Sequence, residues 1–249
     1  MTSKRITLTL LLSLLLGASA SAQTPDKAIL QTLDERSNVA GDLAMNVSIE
    51  TTDPQEGNDT QQAKVFRRDE EDLFLVLIEK PVTQLGQGYL NIADGLWFYD
   101  PESRQFTYTS LSEAFQGSDA NNEDLTNSSL AEDYEVVASE EGTLGKYDVW
   151  ILDLEASNDE VTYPFKKIWV TKDDTLLLKA EDYSLTERLL RTSYFPSYTR
   201  VGESHIPSKM SFVDELVEGK TTNVTQSDIS STEIPDSVFS KAYVERVNR

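Results

Sequence analysis

Residues 88–125 read GYLNIADGLWFYDPESRQFTYTSLSEAFQGSDANNEDL. Two β-runs, Tyr89–Ile92 and Leu96–Tyr99, flank the turn residues Ala93-Asp94-Gly95, and a third, Gln105–Thr109, follows the turn Asp100-Pro101-Glu102-Ser103. The chain then turns polar around Gly117-Ser118-Asp119 and enters a short helical candidate, Asn122–Leu130. This stretch holds no nucleophile beside a base, no metal cluster and no phosphate loop. It presents aromatic and aliphatic surface followed by a loop able to cover it, which points to binding more than to chemistry.

Just upstream, Leu73–Ile78 is the unbroken apolar run LFLVLI. A strand apolar on both faces must be covered twice, by the interior on one side and by a helix or loop on the other. Leu43–Thr51 alternates instead, with Met45, Val47 and Ile49 on one face and Asn46, Ser48 and Glu50 on the other. Thr52–Gln61 reads as a polar hairpin loop and Lys64–Arg68 resumes strand, while Asp69-Glu70-Glu71-Asp72 reads as a solvated turn. Further strands are expected at Tyr134–Ser139, Tyr147–Leu154, Val161–Thr171, Thr175–Tyr183, Glu187–Phe195, Lys209–Leu216 and Lys220–Ile229, with a short edge strand between Pro196 and Gly202. The expected fold is mainly β: one curved antiparallel sheet of about eleven strands, an incomplete, half-open barrel with short helices covering its mouth.

Thr24-Pro25 opens the first of those helices, with threonine as N-cap, proline at the first helical position and Asp26 in the first turn. Ile29, Leu30 and Leu33 form its apolar stripe. Upstream, Lys4-Arg5, the apolar run Ile6–Leu16 and the small residues Gly17–Ala22 read as a secretory signal peptide over residues 1–22, cleaved after Ala22. The remaining residues, 23–249, are expected to form one exported domain.

Composition narrows the function further. With no cysteine, disulfides, thiolate metal sites, cysteine nucleophiles and a lipidated N-terminal cysteine are excluded. The single histidine, His205, excludes a multi-histidine centre and reads as an ordinary edge residue. A formal charge of −21 repels nucleic acid and anionic headgroups alike. Among 43 acidic side chains, close carboxylate pairs arise by chance, so they do not argue for a glycosidase. Gly117-Ser118-Asp119 lacks the strand–turn–helix frame of a nucleophile elbow and reads as turn and cap chemistry. No catalytic residue, metal site or cofactor is expected. The strand-borne apolar residues are either plain core or the lining of a cavity; the candidate lipid-binding set is Leu75, Leu77, Leu90, Trp97, Tyr99, Phe106, Trp150, Leu152, Phe165 and Trp169.

The chain also resembles the outer-membrane lipoprotein-sorting protein family, the LolA-like branch of the bacterial lipoprotein-carrier superfamily. The resemblance rests on Gly88-Tyr89-Leu90, Leu96-Trp97-Phe98-Tyr99 with Pro101 and Arg104, Gly117-Ser118-Asp119, Glu123-Asp124-Leu125 and Glu132-Asp133-Tyr134. It continues in order through Trp169–Asp174, Ile206–Met210 and Ile234–Ser240, covering nearly all of the chain after Pro25. It implies a periplasmic carrier that binds acyl chains of a lipoprotein or a phospholipid in an apolar half-barrel and passes them towards the outer membrane. An inner-membrane transporter and an outer-membrane acceptor are the implied partners, the chain acting as a monomer, without nucleic acid and without enzymatic activity. In related carriers a single basic residue latches the lid; here Arg67 or Arg68 is the candidate. The alternative is a cargo-free accessory protein of the same fold that docks on an envelope transporter.

Overall fold

The computed structural model describes residues 25–247 apart from 94, 127 and 160. The signal peptide expected over residues 1–22 and the Thr24 cap lie outside the described residues. Helix α1 (Pro25–Ser37) leads into β1 (Asp42–Asp53), β2 (Gly57–Arg68), β3 (Leu73–Lys80), β4 (Gly88–Ile92), β5 (Gly95–Asp100) and β6 (Gln105–Tyr108). A long loop with a one-turn helix α2 (Leu130–Asp133) crosses to β7 (Tyr134–Leu144), β8 (Tyr147–Ala156), β9 (Phe165–Thr171), β10 (Leu177–Tyr183), β11 (Leu189–Val201), β12 (Ser204–Asp214) and β13 (Thr221–Ser230), and α3 (Lys241–Val247) follows.

All thirteen strands belong to one antiparallel sheet, ordered β6-β5-β4-β3-β2-β1-β13-β12-β11-β10-β9-β8-β7, with β6 and β7 as its two edges. The sheet is therefore open, as expected, with thirteen strands against the expected eleven. Successive strands pair as hairpins except β6 and β7, and the one long-range seam joins β1 to β13. The β4–β5 turn depends on Gly95, whose φ is +112°; a methyl there would lie 2.7 Å from the Tyr108 ring.

Three details depart from the sequence reading. The hairpin at 52–61 is strand almost throughout, since β1 and β2 stay paired out to Asp53 and Gly57; residues 54–60 all face water and leave no alternation to detect. Pro196 does not end a strand: β11 runs through it with register shifts between Tyr194 and Tyr198, and a bulge is where a proline without an N–H is tolerated inside a sheet. The 69–72 run is not wholly solvated. The Asp69 side chain is buried, accepts the Val39 N–H at 2.8 Å and takes a bidentate pair of hydrogen bonds from Arg67, both 2.8 Å.

Apolar residues pack on both faces of the first half of the sheet. On the inner face Phe74, Val76 and Ile78 join Met45, Val47, Ile49, Leu96, Phe212 and the loop residue Phe115. On the outer face Leu73, Leu75 and Leu77 join Leu90 and Tyr99 beneath Ile234, Val238, Phe239 and Val244 of the C-terminal tail. The twofold covering that LFLVLI demands is thus met by loop and tail. Gly88 permits the close approach of α3, for a methyl there would stand 3.0 Å from the Val76 carbonyl and 3.7 Å from Val244. Arg68 fixes the tail, donating to Asp42, to Asp236 and to the Ile234 carbonyl, each at 2.7 Å. In the second half, Leu30 and Leu33 of α1 cover Leu152, Leu154, Ile168 and Val170 on the inner face.

Candidate functional site

A cavity of about 900 Å³ lies under the inner face of the sheet, between the strands and the segments that cover them. Its walls come from both halves of the chain. Phe74, Leu96, Ile168, Leu177, Phe195 and Met210 contribute apolar surface; Arg67, Glu123, Asp124, Lys166, Asp182 and Arg191 contribute charge. The lining is therefore mixed, where a purely apolar half-barrel was expected.

The charged residues form an ordered row. Cross-strand register places Asp182 of β10 directly opposite Lys166 of β9 on one side and Arg191 of β11 on the other. Lys166 Nζ lies 2.6 Å from Asp182 Oδ1, and Arg191 Nε lies 2.8 Å from Asp182 Oδ2. Arg191 then reaches the covering loop, with Nη1 donating to Asp124 Oδ2 at 2.6 Å and to the Asp119 carbonyl at 3.1 Å. Aromatic faces complete the surroundings, the Tyr163 ring centroid lying 4.7 Å from Lys166 Nζ and 5.0 Å from the Arg191 guanidinium carbon.

Burial alone would drive the Asp182 carboxyl up, but Lys166 and Arg191 together outweigh it and hold the group below its ordinary range. Burial likewise opposes the charge on Lys166, and Asp182 with Glu123 overcomes it, leaving the ammonium harder to deprotonate. Glu123 behaves in the opposite way: burial raises its pKa, and the attraction of Lys166 does not restore it. The row is thus a charge-paired strip whose ionised state depends on all its members being present.

The loop over the mouth is pinned at several points. Phe115 is fully buried, Asp119 accepts from Lys220 at 3.0 Å and from Thr222 Oγ1 at 2.9 Å, and the Ser118 hydroxyl accepts the Ala120 N–H at 3.2 Å. Gly117-Ser118-Asp119 does carry turn and cap chemistry. The cations that tie this loop down are Arg191 and Lys220, however, and neither of the expected arginines. Arg67 faces the cavity but is paired with Asp69, and Arg68 faces outward under the tail.

None of the ten residues expected to hold lipid lines the cavity. Leu75, Leu77, Leu90, Tyr99 and Phe106 pack in the outer cluster beneath the tail. Trp97 lies out of phase with the inner-face residues Leu96 and Phe98, its ring 3.3 Å from Lys241 Nζ. Trp150 and Leu152 pack with α1 in the inner cluster of the second half. Phe165 and Trp169 are out of phase with buried Ile168 and Val170, and Lys179 lies 4.4 Å from the Trp169 ring. The reason is alternation: strands apolar on both faces leave their inner side undetermined, and of the expected rings only Trp150 lies on the inner side. His205 stands on β12 opposite Arg200, away from the cavity lining. Among the described residues no group of three or more histidine or acidic side chains is placed to hold a metal ion.

Sequence reasoning missed the Lys166–Asp182–Arg191 row, although a signal was present. Each of the three is in phase with inward positions of its own strand: Lys166 with Ile168, Asp182 with Ala180, Arg191 with Ser193. A charge in phase with a buried face on three neighbouring strands marks an interior ion network.

Comparison with known proteins places this architecture. No curated protein matches the chain. A family model described as "-like: Uncharacterized protein" matches residues 70–246. Among solved structures, the LolA superfamily protein NE2245 from Nitrosomonas europaea is 26% identical, with 87% of this chain and 98% of that one covered at a TM-score of 0.75. A protein described as an outer membrane lipoprotein-sorting protein domain, from Vibrio parahaemolyticus, is 22% identical over 88% of this chain and 98% of its own, TM-score 0.79. A DUF1329 family protein from Desulfovibrio piger is 21% identical over 89% and 100%, TM-score 0.77. The last two share the fold. The chain belongs to the family so matched, and in its open thirteen-stranded sheet it is similar to the LolA superfamily structures.

Proposed function

We propose that this protein is a periplasmic carrier, without enzymatic activity, that shelters the apolar part of a lipid or lipoprotein under the inner face of its sheet and passes it towards the outer membrane. An inner-membrane transporter that loads it and an outer-membrane acceptor that unloads it are its proposed partners, and it acts as a monomer. One observation supports this reading above the others: about 900 Å³ of space between the sheet and the segments that cover it. Removing a chain from water contributes about 0.8 kcal/mol for each buried CH₂, so one acyl chain on Phe74, Leu96, Phe195 and Met210 is retained without a covalent anchor.

The test is mass spectrometry of lipids that copurify with the protein from the periplasm. The comparison is with Ala180→Phe, which places a ring in the cavity wall. Wild type should bring down acyl lipids that the variant, checked for folding by circular dichroism, does not. Equal traces from both would contradict the carrier reading and favour a cargo-free accessory protein.

A further inference from the structure

The cavity's polar chemistry narrows what such a cargo looks like. Resting on the carrier reading above, we propose that the cargo brings an uncharged hydrogen-bonding head, such as a hydroxyl, ester or amide, into the cavity along with its chain.

The first argument is that the interior cations already have partners. Two cations, Lys166 and Arg191, meet two carboxylates, Asp182 and Asp124, at 2.6–2.8 Å. Arg67 is matched by Asp69 in a bidentate pair. An ionic head entering this space would have to displace one member of a buried pair and leave the other uncompensated. An uncharged head asks for no such exchange.

The second argument is that neutral polar atoms are left over. Ser193 of β11 and Gln226 of β13 both line the cavity, and their side chains are almost wholly buried, at 2% and 7% exposure. Ser193 Oγ and Gln226 Oε1 have no hydrogen-bond partner among the described residues. Buried polar atoms cost free energy until something bonds to them. A serine hydroxyl both donates and accepts, and an amide oxygen accepts. The register sets them two strands and four residues apart, so each meets its own uncharged group of the cargo: Ser193 a hydroxyl, ester or amide, Gln226 a hydroxyl or N–H. A bare hydrocarbon would leave both atoms unpartnered.

The third argument concerns entry. Glu123, Glu132 and Asp133 line the same cavity, and the whole chain carries −21. Their field repels an anionic head on its way in.

The experiment titrates delipidated mature protein with three amphiphiles that share a hexadecyl-length chain: monopalmitoylglycerol, palmitate and hexadecyltrimethylammonium. Each is used below its micelle concentration and read by displacement of a fluorescent acyl probe. Monopalmitoylglycerol should bind at least about tenfold more tightly than either ion. Ser193→Ala and Gln226→Leu should each weaken it by about three- to tenfold and leave palmitate unchanged. Equal binding of all three, or tighter binding of either ion, would overturn the head-group assignment while leaving the carrier reading standing. Binding of none would overturn both. The wild-type ranking decides the matter if either variant fails to fold.

Discussion

The two halves of the sheet are built differently. In β1–β6 both faces are apolar: the inner face meets Phe115 of the covering loop and the outer face meets the C-terminal tail. In β7–β11 the inner face combines aliphatic packing under α1 with the Lys166–Asp182–Arg191 row, and the outer face carries a polar surface of its own. There Lys179 binds Glu181 at 2.6 Å and lies over Trp169, while Tyr194 is 42% exposed. The first half is thus a double-layered scaffold, and the second sets charge against the cavity. The first half keeps a buried ion pair, Arg67 with Asp69, whereas the second carries a row of charge across three neighbouring strands.

The largest expected effect lies in the second half. Arg191→Met leaves Asp182 and Asp124 buried with one cation fewer and should lower stability by about 3–5 kcal/mol in urea unfolding. A loss below about 1 kcal/mol would mean the row is not the structural unit described. Next comes the scaffold. Leu90 is 1% exposed in the outer cluster, and Leu90→Ala should cost about 2–5 kcal/mol. The same operation on the outer face of the other half, Tyr194→Ala, should cost no more than about 0.5 kcal/mol. Similar losses at Leu90 and Tyr194 would erase the contrast between the halves.

Acid titration should separate the tail anchor from the cavity by sign. Asp42, which helps fasten the tail, is held below its usual value of 3.8 mainly by its hydrogen bond from Arg68. Its folded form therefore binds fewer protons than the unfolded chain. The stability it contributes is complete above the unfolded value and is lost as pH falls through the folded one. Asp42→Asn should flatten the acid limb of the stability curve. Glu123, on the cavity, is raised above 4.5 by burial. There the folded form holds its proton longer, so stability falls as pH rises from 4.5 through the folded value. Glu123→Gln should remove that fall, which is read from urea midpoints across the range. The same pH response in both variants would contradict the assignment.

Much of the scaffold could be read from residues alone. LFLVLI announces a strand covered twice, Gly95 marks a hairpin, and the Ile29, Leu30 and Leu33 stripe marks a helix laid on a sheet. The candidate site was harder, for physical reasons. On β3 and β5 apolar residues occupy both phases, so alternation cannot tell which set faces inward; Trp97 and Tyr99 drew attention by size and belong to the outer side. Lys166 stands beside Lys167, and the pair looks like one solvated basic step until the register opposite Asp182 separates them. Ser193 and Gln226 carry no local signature at all, because their significance lies in what fails to meet them.

The central claim is that the space beneath the inner face accepts an acyl chain and the outer face does not. The most direct measurement is saturation binding of a fluorescent acyl probe to wild type, Ala180→Phe and Tyr194→Ala. The account predicts a single saturable site in wild type and Tyr194→Ala, and its loss in folded Ala180→Phe. Saturable binding that survives the ring at position 180 and disappears with Tyr194 would place the acyl chain on the other side of the sheet and contradict it.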